Sequence, residues 1–332
     1  MKQVFGPVHF GSGDAPGIRR RGSTRFTYVD ERTNRPPSER NLHRIRVLAV
    51  PPAWTDVWIA ADPGSHLQAW GRDARGRKQY RYHPAFTESQ SENKFDDLVS
   101  LAQVLGSLRS RVTRDLGRND LSHDRVVATV VRLLDVTSLR VGNVEYARTN
   151  RSFGLTTLRN RHVAVRGTMI RFTFRGKSAH DFDVLVDDAR LAKIVRSCQH
   201  LPGQQLFEYT AEDGVVRAIG SSDVNTYLGE HGAPGMTAKT FRTWNATVRA
   251  AEGLADMAAL EEEPTKRVVN AVIDQVADHH GNTRSICRKS YVHPTVVDAY
   301  LDGSLIKQWR RPVSRRPAGL LDGERRTLRL LR

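Results

Sequence analysis

Val163-Ala164-Val165-Arg166-Gly167-Thr168-Met169-Ile170-Arg171-Phe172-Thr173-Phe174-Arg175-Gly176-Lys177-Ser178-Ala179-His180-Asp181-Phe182-Asp183-Val184-Leu185-Val186 alternates apolar and polar side chains in three short runs. A period of two puts alternate residues on one face of a strand, so the runs at 163–165, 170–174 and 182–186 predict three antiparallel strands. Arg166-Gly167-Thr168 and Arg175-Gly176-Lys177-Ser178 are the turns between them. Gly176-Lys177-Ser178 also matches the end of a phosphate-binding loop. The first glycine of such a loop would fall at Arg171, and strands flank the segment on both sides, so that reading is rejected.

Outward from this sheet the period lengthens to that of helices. Phe95, Leu98, Val99, Ala102, Leu105, Leu108, Val112 and Leu116 share one helical stripe that Gly117 ends, and a second helix starts at Ser122 and runs through Val126, Val127, Val130, Leu133 and Leu134. After the sheet, helices are expected at about 188–199, 222–230, 237–251, 265–280 and 294–302, with Pro202-Gly203 and Pro234-Gly235 as breaks. Before Ser91-Glu92-Asn93 the pattern is of short strands, such as 57–60 and 67–70, separated by Pro51-Pro52 and Asp62-Pro63-Gly64. The fold class is therefore α+β: a small β-rich N-terminal domain (1–93), a larger mainly α-helical domain with a small three-stranded antiparallel sheet (94–306), and a basic C-terminal tail (307–332) read as a solvated arm. No internal repeat is present.

The 332 residues suggest about two domains. A hydrophobic fraction of 39% and a charged fraction of 27% are those of a globular chain and exclude wholesale disorder. No apolar run approaches the ~18 residues of a membrane span. Residues 1–30 lack the apolar core and small-residue cleavage site of a signal peptide, so a cytoplasmic location is expected. Two cysteines, Cys198 and Cys287, are too few for a disulfide framework or an all-cysteine zinc site. The net charge of +16 calls for an anionic partner, with nucleic acid ahead of an acidic membrane surface. Residues 307–332 carry +7 of it, leaving +9 on the rest.

Other polar clusters read as structural. Asp181 and Asp183 share a strand face and could hold Mg²⁺, but Arg171 and Arg175 beside them favour a charged solvent face. Glu261-Glu262-Glu263 reads as a solvated loop. His279-His280 at a helix end suits the macrodipole, and adjacent helical residues diverge too far to share a metal. No metal site and no cofactor are expected.

Several segments together resemble the type IB DNA topoisomerases, in the small form found in poxviruses and bacteria, and the resemblance to the bacterial members covers nearly the whole chain. Pro16-Gly17-Ile18-Arg19-Arg20-Arg21, the run from Arg46 to Trp54, and Gly76-Arg77-Lys78-Gln79-Tyr80-Arg81-Tyr82-His83 resemble the family's small domain. Ser138-Leu139-Arg140-Val141-Gly142-Asn143 resembles the segment of the first catalytic arginine, with Tyr146 at the place of a DNA-contacting tyrosine. Phe153-Gly154-Leu155-Thr156-Thr157-Leu158 leads into the strands as in the family, and Lys177 sits where the family keeps its catalytic lysine. Lys239-Thr240-Phe241-Arg242-Thr243 resembles the second arginine's segment, and Cys287-Arg288-Lys289-Ser290-Tyr291 the one ending in the nucleophilic tyrosine. Nine residues before that tyrosine the poxvirus enzyme has a histidine, whereas this chain has Asn282, as bacterial members do; asparagine can donate a hydrogen bond but carries no charge.

The resemblance implies transesterification of duplex DNA by a monomer at the bacterial nucleoid. Tyr291 would attack phosphorus and expel the 5′-hydroxyl, leaving a 3′-phosphotyrosyl bond whose reversal reseals the strand without ATP. Free tyrosine titrates near ~10, so cations are needed to favour the phenolate and the charge building on the phosphoryl oxygens. Arg140 and Arg242 suit that task because a guanidinium is always charged and binds phosphate bidentately. Asn282 would add a neutral donor, and Lys177 could give its proton to the leaving oxygen. This cluster of cations stands in for a divalent metal. Lys78, Gln79, Tyr80, Tyr82, Tyr146 and Lys239 are the expected DNA contacts, with Tyr80 and Tyr82 on one strand face. In the family the two domains clamp the duplex from opposite sides. A tyrosine recombinase shares this residue set, but usually carries His-x-x-Arg where this chain has Lys239 before Arg242. A non-catalytic basic DNA-binding protein would need no nucleophile.

Overall fold

The computed structural model describes residues 8–332 apart from 24, 75, 261, 262 and 316, and for residues 88–94, 96 and 97 the backbone alone. The expectations for the first seven residues and for Glu261 and Glu262 lie outside this set. The chain forms two compact units, Met1–Lys94 and Phe95–Arg332.

In the first unit, β1 (Ile18–Arg21), β2 (Thr27–Asp30), α1 (Glu39–Leu48), β3 (Thr55–Ile59), β4 (Leu67–Arg72) and β5 (Lys78–Tyr82) precede the start of α2 (Pro84–Leu116). The strands form one antiparallel sheet in the order β2-β1-β3-β4-β5. Ile18, Val57, Ile59 and Ala69 pack with Ile45 of α1. Trp58, Ala60, Leu67 and Trp70 form a second cluster, with both indoles donating to the 13–15 segment: Trp58 Nε1 to Ala15 O and Trp70 Nε1 to Gly13 O, each at 2.9 Å. Gly17 is required there, since a Cβ would lie 2.3 Å from Trp58 Nε1. Helix α1 is absent from the sequence reading because its only buried residue is Ile45, which leaves no apolar stripe to detect.

The second unit holds most of α2, then α3 (His123–Thr137), α4 (Val144–Asn150), the sheet β6 (Val163–Arg166), β7 (Met169–Arg175) and β8 (Asp181–Asp187), α5 (Ala189–Gln199), the hairpin β9 (Glu208–Thr210) and β10 (Val216–Ala218), and α6 (Ser221–His231). Then follow α7 (Ala238–Ala259), α8 (Lys266–His279), α9 (Arg284–Ser290), α10 (Pro294–Leu301), α11 (Leu305–Arg310) and α12 (Asp322–Leu330). The architecture is α+β, and the three-stranded sheet has the expected antiparallel order β6-β7-β8. Helix α7 lies between two cores. Phe241, Trp244 and Val248 join the cluster of α2, α3 and the sheet, whereas Ala246, Ala250 and Leu254 join that of α8 and α10. Among the described residues no helix is long and apolar enough to cross a membrane.

Two expectations are corrected. Residues 307–332 are not a solvated arm: Leu320, Leu328 and Leu330 are buried in the cores of the second unit. Glu324, 4% exposed, accepts from Arg109 Nη1 and Nη2 at 2.8 Å each and from Trp244 Nε1 at 3.3 Å, and Arg109 also reaches Asp135. Amphipathic patterning in α12, rather than its charge, decides where it goes. His279 and His280, expected to complement the α8 dipole as cations, are neutral. Burial and the nearby cations Arg249 and Arg242 push His279 down to about 4, and burial with Arg242 pushes His280 down to about 3. Asp183 forms an exposed ion pair with Arg171, in line with a charged solvent face.

Candidate active site

Each side chain of the site is placed by a short, well-determined piece of backbone. Helix α3 ends at Ser138 in the left-handed region (φ 58), whose N–H returns to Leu134 O at 3.1 Å. The chain then runs extended and is stitched to the segment at 153–157: Leu155 N–H donates to Arg140 O at 2.9 Å and Thr156 N–H to Val141 O at 2.7 Å. Gly142 (φ 110) must be glycine, because a Cβ would meet both Thr156 Oγ1 and Thr157 Oγ1 at 3.0 Å. These bonds present Arg140.

Arg242 projects from the first turns of α7 and is 3% exposed. Its Nη1 donates to Ser138 O and its Nη2 to His280 O at 2.8 Å, so one guanidinium ties the end of α3 to the end of α8. Asn245, one turn on, adds bonds to Asp135 O and Ser138 Oγ, both at 3.0 Å. At the end of α8 the chain turns through Gly281 (φ 57), where a Cβ would lie 2.5 Å from Phe182 Cζ. That close approach sets the Asn282 corner against β8. Arg140 Nη2 bonds Gly281 O at 3.2 Å and Asn282 Oδ1 at 2.6 Å. Helix α9 then delivers Tyr291 as its C-terminal cap, with its N–H on Cys287 O at 2.9 Å.

Lys177 stands in the β7–β8 turn, closed by Gly176 N–H to His180 O at 2.8 Å. Ser178 (φ 64) and Ala179 (φ 61) both adopt left-handed backbone, which costs about 1–2 kcal/mol per non-glycine residue. The exposed Lys177 Nζ lies 5.8 Å from the centroid of the Tyr146 ring on α4.

Arg140, Tyr146, Lys177, Lys239, Arg242 and Tyr291 therefore line a single cavity of about 260 Å³, walled on its apolar side by Val141, Phe153 and Ala238. Cζ of Arg242 is 5.4 Å from the Tyr291 ring centroid. Burial, then the charge of Arg140, pushes Arg242 below its ordinary value to about 10, with Tyr291 opposing. Burial likewise lowers Arg140. Both remain cations at neutral pH. Burial pushes the Cys287 thiol up to about 11, so it stays protonated and is no rival nucleophile. Three buried donors have no partner among the described residues: Arg140 Nη1, Arg242 Nε and Asn282 Nδ2. A buried donor costs about 1–3 kcal/mol unless an acceptor meets it.

The expected contacts of the first unit lie on its edge strand β5. Lys78, Tyr80 and Tyr82 share one exposed face, with the two tyrosine rings stacked at 6.1 Å and Lys78 Nζ 4.0 Å from the Trp70 ring centroid. Gln79 points to the other face, where its amide donates to Asp73 Oδ2 at 3.0 Å. Sequence reasoning passed over Thr247 and read His280 only as a helix-end residue; its buried, neutral ring has its centroid 6.2 Å from that of Tyr291. Burial is the signal that singles them out, and it is not visible in spacing.

Comparison with known proteins identifies the family. The family profile described as the catalytic core of eukaryotic DNA topoisomerase I matches residues 83–312, and that of the N-terminal domain of bacterial DNA topoisomerase IB matches residues 25–73. DNA topoisomerase 1B of Acanthamoeba polyphaga mimivirus is 29% identical over 290 residues, covering 85% of this chain and 86% of the relative. DNA topoisomerase 1B of Vaccinia virus (strain Copenhagen) is 20% identical over 241 residues, covering 71% and 73%. DNA topoisomerase 1 of Mycosarcoma maydis is 26% identical over 223 residues, 60% of this chain but 22% of its own length. With the catalytic-core profile covering well over half of its residues, the chain belongs to the type IB DNA topoisomerase family.

Proposed function

We propose that this enzyme relaxes supercoiled duplex DNA as a monomer by breaking and rejoining one strand, without ATP or a metal ion. Tyr291 Oη attacks the scissile phosphorus as the P–O5′ bond breaks. The phenol proton is lost to solvent, the 5′-oxygen takes a proton from Lys177, and a 3′-phosphotyrosyl ester is left. The free 5′-end rotates about the intact strand, and attack by the 5′-hydroxyl reverses each step.

The observation that supports this reading is the set of buried donors without a partner among the described residues: Arg140 Nη1 and Arg242 Nε in the cavity that Tyr291 lines, and Nδ2 of Asn282, whose Oδ1 is held by Arg140. They offer hydrogen bonds and positive charge to the non-bridging oxygens, whose charge grows in the transition state. The exposed Lys177 suits a mobile proton donor at the mouth of the cavity. Lys239, Tyr146, and the face of β5 bearing Lys78, Tyr80 and Tyr82 supply duplex contacts, with Gln79 contributing from the reverse face. The duplex substrate puts the site of action at the nucleoid.

The test is plasmid relaxation with EDTA and no ATP, stopped with SDS. Wild type should relax both signs of supercoil and leave a 3′-linked adduct on Tyr291. Tyr291→Phe should bind duplex with a similar Kd and relax nothing; undiminished relaxation by that variant would overturn the mechanism.

A further inference from the structure

Thr247 is fully buried on α7, five residues after Arg242. Threonines inside helices commonly turn their hydroxyl back to the carbonyl four residues earlier, as Thr243 does here with Oγ1 donating to Lys239 O at 3.1 Å. Thr247 does not. Its Oγ1 donates to Tyr291 O at 3.0 Å and accepts from His293 N–H at 3.2 Å.

Those two groups are the ones that local structure leaves over. Tyr291 caps the C-terminus of α9, so its carbonyl has no place in the helical ladder. His293 is the N-cap of α10, with its Nδ1 accepting from Thr295 N–H at 3.2 Å, and its own N–H precedes the helix. The chain turns between two helices within three residues. One hydroxyl joins both ends of that turn to the helix that also carries Arg242. Arg242 in turn grips Ser138 O and His280 O. Nucleophile and cation are thereby mounted on one helix.

We infer that Thr247 is a positioning residue for Tyr291: its hydroxyl pins the backbone on both sides of the nucleophile to α7, so that the phenol is held beside the Arg242 guanidinium before DNA binds. This rests on the transesterase reading above.

The test compares Thr247→Val, which keeps the branched shape and removes both hydrogen bonds, with Thr247→Ser, which keeps the hydroxyl. Two readouts are taken on the full-length protein. The first is the single-turnover rate of adduct formation on a nicked duplex at saturating enzyme, with the duplex Kd measured separately. The second is hydrogen exchange of the peptide covering 287–296, which needs no chemistry. Thr247→Val should slow adduct formation about ten-fold at unchanged Kd and speed exchange in 287–296, with exchange in α3 unaltered. Thr247→Ser should restore both.

A valine variant that cleaves within two-fold of wild type would overturn the inference. So would one whose exchange rises throughout α7 and α3, since that is general loosening. If wild type forms no Tyr291 adduct, the transesterase reading fails by itself. Exchange then still decides whether Thr247 holds the turn, and an unaltered 287–296 peptide in the valine variant would overturn that as well.

Discussion

Arg140 Nη2 lies 2.6 Å from Asn282 Oδ1, joining residues 142 positions apart in sequence. A guanidinium only donates, so the oxygen of the amide must face Arg140 and Nδ2 must face away, where it has no partner among the described residues. The arginine thus orients the Asn282 amide, which is proposed above as a donor to the phosphate. Asn282→Ala should slow adduct formation on the order of 10²-fold, the usual cost of one transition-state donor, with little change in duplex Kd. Asn282→Asp should slow it further, because a carboxylate beside Arg140 cancels the charge offered to phosphate. Single-turnover cleavage measures both.

Two lysines line the cavity, Lys177 and Lys239, and the proton-donor role proposed here belongs to Lys177 in the β7–β8 turn. Lys177→Ala should lower the cleavage rate by about 10²–10⁴-fold on ordinary DNA. Lys177→Arg should not rescue it, since a guanidinium keeps its proton. A substrate with sulfur at the 5′-bridging position expels a thiolate that needs no proton, so it should bring the alanine variant back towards wild type. An equal deficit on both substrates would remove Lys177 from the acid role.

The buried histidines set the acid limit of stability. His280 titrates near about 3 in the folded protein, depressed first by burial and then by Arg242. The unfolded chain takes up that proton near ~6.5, so stability present above ~6.5 is lost as pH falls towards the folded value, by up to about 1.4 kcal/mol per pH unit. Urea midpoints should therefore fall between pH 7 and pH 5, and His280→Gln should flatten that limb. Carboxylates act lower. Burial raises the Glu324 carboxyl, but the Arg109 hydrogen bond and charge, with the N–H groups of Leu321 and Trp244, lower it on balance. Its contribution is complete above the unfolded value of ~4.3 and is lost progressively as pH falls from there through the lower folded value. A midpoint constant from pH 7 to pH 5.5 would contradict a neutral buried His280.

The C-terminal segment is tested through its ion pair. Arg109 Nη2 reaches Glu324 Oε1 and Asp135 Oδ1, both at 2.8 Å, with the two carboxylate side chains each 5% exposed. Glu324→Ala leaves a buried guanidinium short of charge and should cost about 3–5 kcal/mol in urea unfolding. Loss below 1 kcal/mol would show that apolar packing alone seats α12.

The family and the α+β class were legible in the sequence, and the reacting groups proposed here were picked out there, because each depends on local order. Alternation at 163–186 reveals strands whatever covers them, and Arg140, Lys177, Arg242, Asn282 and Tyr291 are recognised by their immediate neighbours. Helix α1 and the docking of α12 were not legible. The first buries a single side chain, and the second lies in a segment, 307–332, whose nine basic residues mask its few apolar positions.

Only the tertiary structure decided what those residues meet. That Arg242 spends two donors on backbone and keeps Nε unpaired, that His280 is neutral, that Gln79 turns to Asp73, and that one hydroxyl on α7 holds the turn after Tyr291 are all contacts across long stretches of chain. Periodicity reports the face a residue takes on its own element. Which donor stays free, and which side chain loses its charge, depend on burial by elements far away in sequence.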